Sequence, residues 1–428
     1  MPSDPADQAF KTGHPRLWVA GLVLLALIAG ALYLLRDGDP AIAPQAPDEQ
    51  NGSVDAGAAR EAAAVDFLFE LSEALGSGTR EEAIALAAPG GKAAARSLGY
   101  IFDNVNGLGI DDLSMRFVDE NAGRVSGSAG SEAFVADVEL AWRIGGFDEG
   151  ISQMEVSMTL AESSGGAAFV SAAGDYGNRA PLWLLEDLAV RQSRNALVMV
   201  ADQAEADRFL ALADRAVVDV KKVLPRWRGK LVVEVPASQD QLNRTLAAND
   251  DAYDAIAAIT TTVDGSLSPS SPTHIAVNPP VFGKLGGDGA QIVMSHEATH
   301  VATDAATSSM PVWLLEGFAD YVALAHVDLP VSVTASQILR DIRNAGVPDA
   351  LPGAGDFDPT NQDLGAVYES AWLACRYLAD RYGERNLIAF YNAVERDSSV
   401  SKAFSRILNT NEQRFTRGWQ GYLRELAS

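Results

Sequence analysis

The chain is 428 residues long, 47% hydrophobic and 21% charged, enough for two or three domains that each bury a core, which excludes disorder throughout. Its 57 Asp and Glu against 33 Lys and Arg give a formal charge of -24, which repels a phosphate backbone and argues against a nucleic-acid partner. The single cysteine, Cys375, can form neither an internal disulfide nor a zinc cluster of the CxxC type.

Residues 1–16 read as a short cytoplasmic N-terminus, and residues 17–35 carry no charge. As a helix this run spans roughly 28 Å, close to the hydrocarbon thickness of a bilayer. Lys11 and Arg16 precede it, while Trp18 and Tyr33 suit the two interfaces. The expectation is a single-pass transmembrane anchor in the cell membrane, with everything beyond it extracytoplasmic. Its rival is a cleaved signal peptide, for which Ala41-Ile42-Ala43 offers a small-residue site. Residues 36–60, rich in Pro, Gly and scattered acids, cannot bury a core and read as a flexible linker.

Residues 61–200 open with apolar helical spacing at Val65, Leu68, Phe69, Leu71 and Leu75, and a second helical stretch covers 79–86. The period then changes to alternation, with strands expected at 113–118, 133–144, 151–160 and 167–173 between Gly, Asn, Asp and Ser clusters. Helices followed by such a meander predict an α+β accessory domain, and the element order is similar to that of cone-shaped folds of the nuclear-transport-factor-2 type. From residue 201 the pattern alters again: a helix to 224, a strand at 230–235, a helix from 238, short strands near 255–261 and 274–277, then mostly helix to 428.

The chemistry concentrates in IVMSHEATHV, residues 292–301, which holds His296-Glu297-Ala298-Thr299-His300. On a helix, positions four apart share a face, so His296 and His300 can aim imidazole nitrogens at one ion while Glu297 lies beside it as a general base. Two surface histidines flanking a salt-bridging Glu are the plain alternative. Ile292, Val293, Met294 and Val301 argue against it, because they ask for burial.

A catalytic zinc of this kind takes a third protein ligand. The segment PVWLLEGFADY, residues 311–321, starts with a proline suited to a first helical turn and carries Glu316 among Trp313, Leu314, Leu315 and Phe318. A buried carboxylate without a partner is costly, so a metal gives a reason for Glu316 to be there. Asp320, one turn later, falls on the same face and can accept from the non-ligating nitrogen of a zinc histidine. Cys375, by contrast, sits among apolar neighbours and reads as a small buried hydrophobe.

At these residues the chain resembles the gluzincin zinc metallopeptidases, most nearly the bacterial families called peptidase MA-like. WLLEGFADY is similar to the WLxEGFAxY pattern of the clan's aminopeptidases, and Val367-Tyr368-Glu369-Ser370-Ala371 is similar to their Y-E-K-G-A stretch. The resemblance implies one Zn2+ held by His296, His300 and Glu316, with Asp320 behind the ligands and Glu297 as general base. It also implies that Tyr368 hydrogen-bonds the oxyanion of the transition state. Tyr368 stands one residue off Val367 in the apolar spacing of its helix, so its phenol need not sit on the packing stripe. Only residues 301–315 separate the second His from Glu316, a shorter connection than in the clan's larger enzymes. There is no GxMEN segment to anchor a substrate N-terminus, which favours an endopeptidase.

The expected fold class is thus α+β: an N-terminal transmembrane helix, an α+β domain over 61–200, and a mainly helical metallopeptidase domain with a small sheet over 201–428. The expected function is a membrane-anchored zinc peptidase acting on peptide or protein substrates. In the clan, a sheet edge beside the zinc helix pairs with extended substrate, and the strand at 274–277 is its expected counterpart, with His274 as a structural or rim residue. The alternative is a catalytically silent scaffold on the same fold, working through its N-terminal α+β domain.

Overall fold

The computed structural model describes residues 53–121, 133–172, 178–249, 252–325, 327–358, 361–397 and 399–428. They fall into two compact units, one of residues 53–282 with Glu297–Ser308, the other of Gly283–His296 with Ser309–Ser428.

The first unit opens with helices α1 (Ser53–Gly76), α2 (Arg80–Ala85) and α3 (Lys92–Leu108). A capping box starts α2: the Thr79 hydroxyl accepts from the Glu82 N–H, and the Glu82 carboxylate accepts from the Thr79 N–H at 2.7 Å. Gly109, left-handed at φ 62°, ends α3. Strands β1 (Ile110–Glu120), β2 (Ala133–Ile144), β3 (Ser152–Ser163) and β4 (Gly166–Ala172) then form an antiparallel meander in chain order. Alternation along β2 turns Ala136, Val138, Leu140, Trp142 and Ile144 inward, into the same core as Leu68 and Leu71 of α1 and Leu98, Ile101 and Val105 of α3. Each such Leu, Ile or Val, fully buried, contributes roughly 1.5–3 kcal/mol of transfer free energy. Buried Asn104 pins the chain that leaves the meander. Its amide donates to the Trp183 and Glu186 carbonyls, and its oxygen accepts from the Leu188 N–H.

A second sheet follows, with β5 (Ala189–Gln192), β6 (Ala196–Val200), β7 (Leu231–Val235), β8 (Ala258–Thr262) and β9 (Thr273–Val277) in the order β5-β6-β7-β9-β8. Residues 189–200 therefore pair with the strands that come after them, and not with the meander. Helix α4 (Ala206–Val223) is the crossover from β6 to parallel β7, and α5 (Gln239–Leu246) follows β7. Phe209, Ala213, Ala216, Val217, Val220 and Val223 give α4 one buried face, and Lys221 and Lys222 in its last turn complement the helix dipole. ALVMV and LVVEV, fully buried, make β6 and β7 interior parallel strands. The expected edge at 274–277 is corrected here: β9 lies between β7 and β8, and β8 is the edge strand.

Helix α6 (Gly287–Ala302) carries the HEATH sequence, giving its residues up to His296 to one unit and the rest to the other. The second unit continues as helices: α7 (Val312–Leu324), α8 (Ser336–Ala345), α9 (Leu364–Tyr382), α10 (Glu384–Asp397), α11 (Val400–Ile407) and α12 (Glu412–Ala427). Aromatic rings fill its core, with Phe318 4.4 Å from Tyr391, Phe390 4.8 Å from Phe404, and Phe404 5.1 Å from Phe415. Helix α7 crosses α9 so closely that a Cβ on Gly317 would collide with the Ala371 carbonyl oxygen. Buried Cys375 packs at the same crossing, and burial pushes its thiol pKa up.

The single-pass architecture does not stand. Among the described residues no helix is long and apolar enough to cross a membrane. The longest ones show why: α1 carries Arg60, Glu61, Asp66, Glu70 and Glu73, α4 carries seven charged residues including Asp207 and Lys222, and α9 carries Glu369, Arg376, Asp380 and Arg381. The run at 17–35 on which the anchor was placed lies outside the described residues, as does residues 36–52 of the linker. The fold class is corrected to a mixture of helix and sheet in which no described helix is long and apolar enough to span a membrane. Attachment to a membrane through residues 17–35 and the extracytoplasmic location are corrected with it.

Candidate metal centre

His296, Glu297 and His300 are all buried on α6. The helical repeat sets the two histidines on one face, one turn apart. Glu316 and Asp320 are likewise one turn apart on α7, and both are buried. Gly317, next to Glu316 in the chain, lets α7 lie directly against α9.

These side chains converge. One ligand atom from each of His296, His300 and Glu316 lies within 4.8 Å of the other two, so this buried group could hold a metal ion. Asp320 Oδ1 lies 2.8 Å from His296 Nδ1, and Glu316 Oε2 lies 3.2 Å from His296 Nε2. With Asp320 taking the Nδ1 proton, Nε2 is the nitrogen turned toward Glu316 and His300, which is the tautomer a metal ligand requires. The donor set of two imidazoles and one carboxylate fits a borderline cation such as zinc better than a hard one such as calcium. Burial opposes a charge on His296, but the facing Asp320 and Glu316 carboxylates outweigh it and push its pKa up to about 10.

Glu297, between the two histidines in sequence, reaches the second sheet. Its Oε2 accepts from the Thr260 hydroxyl at 2.7 Å, and its main-chain oxygen lies 3.0 Å from the same hydroxyl. Tyr368 is on α9, but the expectation that its phenol stands off the packing stripe is corrected: it is wholly buried, with its ring edge-on to Phe357 at 5.2 Å, while Val367 is only half-buried.

Three buried polar groups have partners that the sequence did not show, and His274, expected as a structural or rim residue, is one of them. Thr260 is 37 residues from Glu297, and no spacing rule joins a strand residue to a helix that far away. His274 is clasped on both nitrogens, by Glu234 at 2.7 Å on Nδ1 and by Asp148 at 3.0 Å on Nε2. Burial opposes its charge too, yet the two carboxylates win and push its pKa up to about 10. Glu369 is fully buried, and its Oε2 accepts from the Ile338 N–H in the first turn of α8. Burial pushes its pKa up to about 8.

Against known proteins the chain matches no family model, and no curated protein matches it.

Proposed function

We propose that the protein is a zinc-dependent hydrolase of peptide bonds, an endopeptidase in type. The observation that carries this reading is the buried His296, His300 and Glu316 group with a second carboxylate, Glu297, on the same helical turn. A zinc ion held there supplies a Lewis acid that polarises a carbonyl and acidifies water. Glu297 takes the proton of the attacking water and later delivers it to the leaving amine. Asp320 keeps His296 in its ligating tautomer. Tyr368 donates its phenolic hydrogen to the developing oxyanion, as in the clan that the sequence resembles.

The test is zinc content of the purified chain, followed by hydrolysis of a peptide library with and without chelator, wild type against Glu297→Gln. Cleavage that needs both zinc and Glu297 is the expected result. Stoichiometric zinc with no cleavage by either form would replace this reading with the silent scaffold. Tyr368→Phe removes only a hydroxyl and is expected to lower kcat on the order of a hundredfold with zinc content unchanged. A lowered melting temperature with kcat preserved would make Tyr368 a packing residue instead.

A further inference from the structure

A general base must offer a carboxylate oxygen in one direction, whereas a glutamate side chain has three torsions and loses up to roughly 2 kcal/mol of rotamer freedom when it is held still. Here a single atom of the neighbouring strand meets Glu297 at two points. The Thr260 hydroxyl is 2.7 Å from Oε2 and 3.0 Å from the main-chain oxygen of the same residue. A backbone carbonyl only accepts and a hydroxyl has a single hydrogen, so the Thr260 proton is shared between the two Glu297 oxygens, the shorter contact being to the carboxylate. The carboxylate and the main-chain oxygen of Glu297 are thus referred to one post.

That post is rigid. Threonine is stiff about χ1 because it is branched at Cβ, Thr260 is buried, and its strand is fixed by pairing with Ile275 on β9. Alternation along β8 sends Thr261 to the opposite face, where its hydroxyl meets the Thr262 carbonyl and the Arg179 guanidinium. Of three consecutive threonines, only the middle position of the strand, residue 260, reaches the α6 carboxylate.

We infer that Thr260 is a positioning residue for Glu297, its hydroxyl setting the orientation in which the carboxylate receives a proton from water. The inference rests on the hydrolase reading for its role in turnover, but the tether itself can be tested without turnover.

The experiment compares Thr260→Val, which keeps the shape and deletes the hydroxyl, with Thr260→Ser, which keeps the hydroxyl, and with Thr261→Val as the opposite-face control. In the zinc-loaded enzyme, Thr260→Val is expected to lower kcat about tenfold to a hundredfold, with KM and zinc content unchanged. Thr260→Ser restores most of the loss, and Thr261→Val leaves kcat as it was. In the metal-free protein, Thr260→Val is expected to lower the melting temperature more in the wild-type background than in Glu297→Ala, because the carboxylate contact is gone from the latter. Wild-type kcat in Thr260→Val, in an enzyme that Glu297→Gln inactivates, overturns the positioning role and leaves the hydrolase reading intact. If wild type cleaves nothing, the hydrolase reading fails and melting decides: equal shifts in the two backgrounds overturn the tether, and a smaller shift in Glu297→Ala upholds it.

Discussion

His296 and His274 are nearly the same object in two places. Each is buried, each has a carboxylate oxygen at 2.7–3.2 Å from both ring nitrogens, and each is pushed to a pKa of about 10 by its acidic partners. They differ in where the donors aim. Around His296, Glu316 faces Nε2 and His300 adds a second imidazole, so that one ligand atom from each lies within 4.8 Å of the other two. Around His274, Glu234 and Asp148 approach opposite edges of the ring, and no one point can be shared by all three. A buried histidine between carboxylates is therefore an ion triad by default. It becomes a metal centre only when a further neutral donor converges on one of its nitrogens.

The comparison breaks most directly at the ligands. His296→Ala, His300→Ala and Glu316→Ala are each expected to abolish zinc retention, whereas His274→Ala keeps one zinc per chain and Glu297→Gln keeps it too. Metal analysis of the five purified variants checks this, and full zinc in Glu316→Ala would remove that residue from the ligand set.

The next largest effect falls on the other histidine. His274→Ala leaves two buried carboxylates without their cation and is expected to cost about 3–5 kcal/mol in urea unfolding. Because the folded pKa of His274 is raised above its ordinary value of about 6.5, its contribution is fully present below pH 6.5 and is lost as pH rises through about 10. Unfolding of wild type and His274→Ala should thus converge at the alkaline end of that window.

Glu369 sharpens the contrast from the opposite side, as a carboxylate whose burial outweighs its hydrogen bonds from Ile338 and Gln337 and the charge of Arg340. Burial raises its pKa to about 8, so the folded state is penalised as pH climbs from about 4.3, the ordinary glutamate value, through about 8. Glu369→Gln should stabilise the fold above pH 8, by on the order of 5 kcal/mol, and leave it unchanged near pH 4. Equal melting temperatures of the two proteins at pH 9 would show that the carboxylate is not penalised. The smallest effect is expected at Asp320→Asn, which keeps a hydrogen bond to His296 and removes the charge. Zinc affinity should fall about tenfold to a hundredfold, measured by competition with a chromophoric chelator.

What was legible in the sequence was whatever a short window contains. HEATH and WLLEGFAD are each one or two helical turns, so the pairs 296/300 and 316/320 could be put on common faces before any fold was known. The alternation of residues 133–144 gave β2 its bounds, and the strands at 231–235 and 273–277 fall within a residue of their expected starts. Strand β6 was missed because ALVMV has no alternation to betray it, being buried on both faces, and β5 is only four residues long. The clasp on His274 was out of reach for a different reason: Glu234 and Asp148 lie 40 and 126 residues away, and only the sheet and the turn after β2 bring them to it. Tyr368 shows the limit of the helical pattern itself. Periodicity put it beside the packing stripe, and the tertiary neighbours of α9 buried it outright.

The close crossing at Gly317 also sets how far the centre could be redesigned. Two backbones that nearly touch leave little slack in which α7 could slide along α9, so Glu316 is carried on a helix whose place against α9 is set by the absence of a side chain at 317. A change in the reach of the Glu316 carboxylate is then more simply made in the side chain, as in Glu316→Asp, than by shifting α7 along α9. Position 317 offers no freedom at all, since even one methyl group would have to displace the Ala371 carbonyl before it could be accommodated.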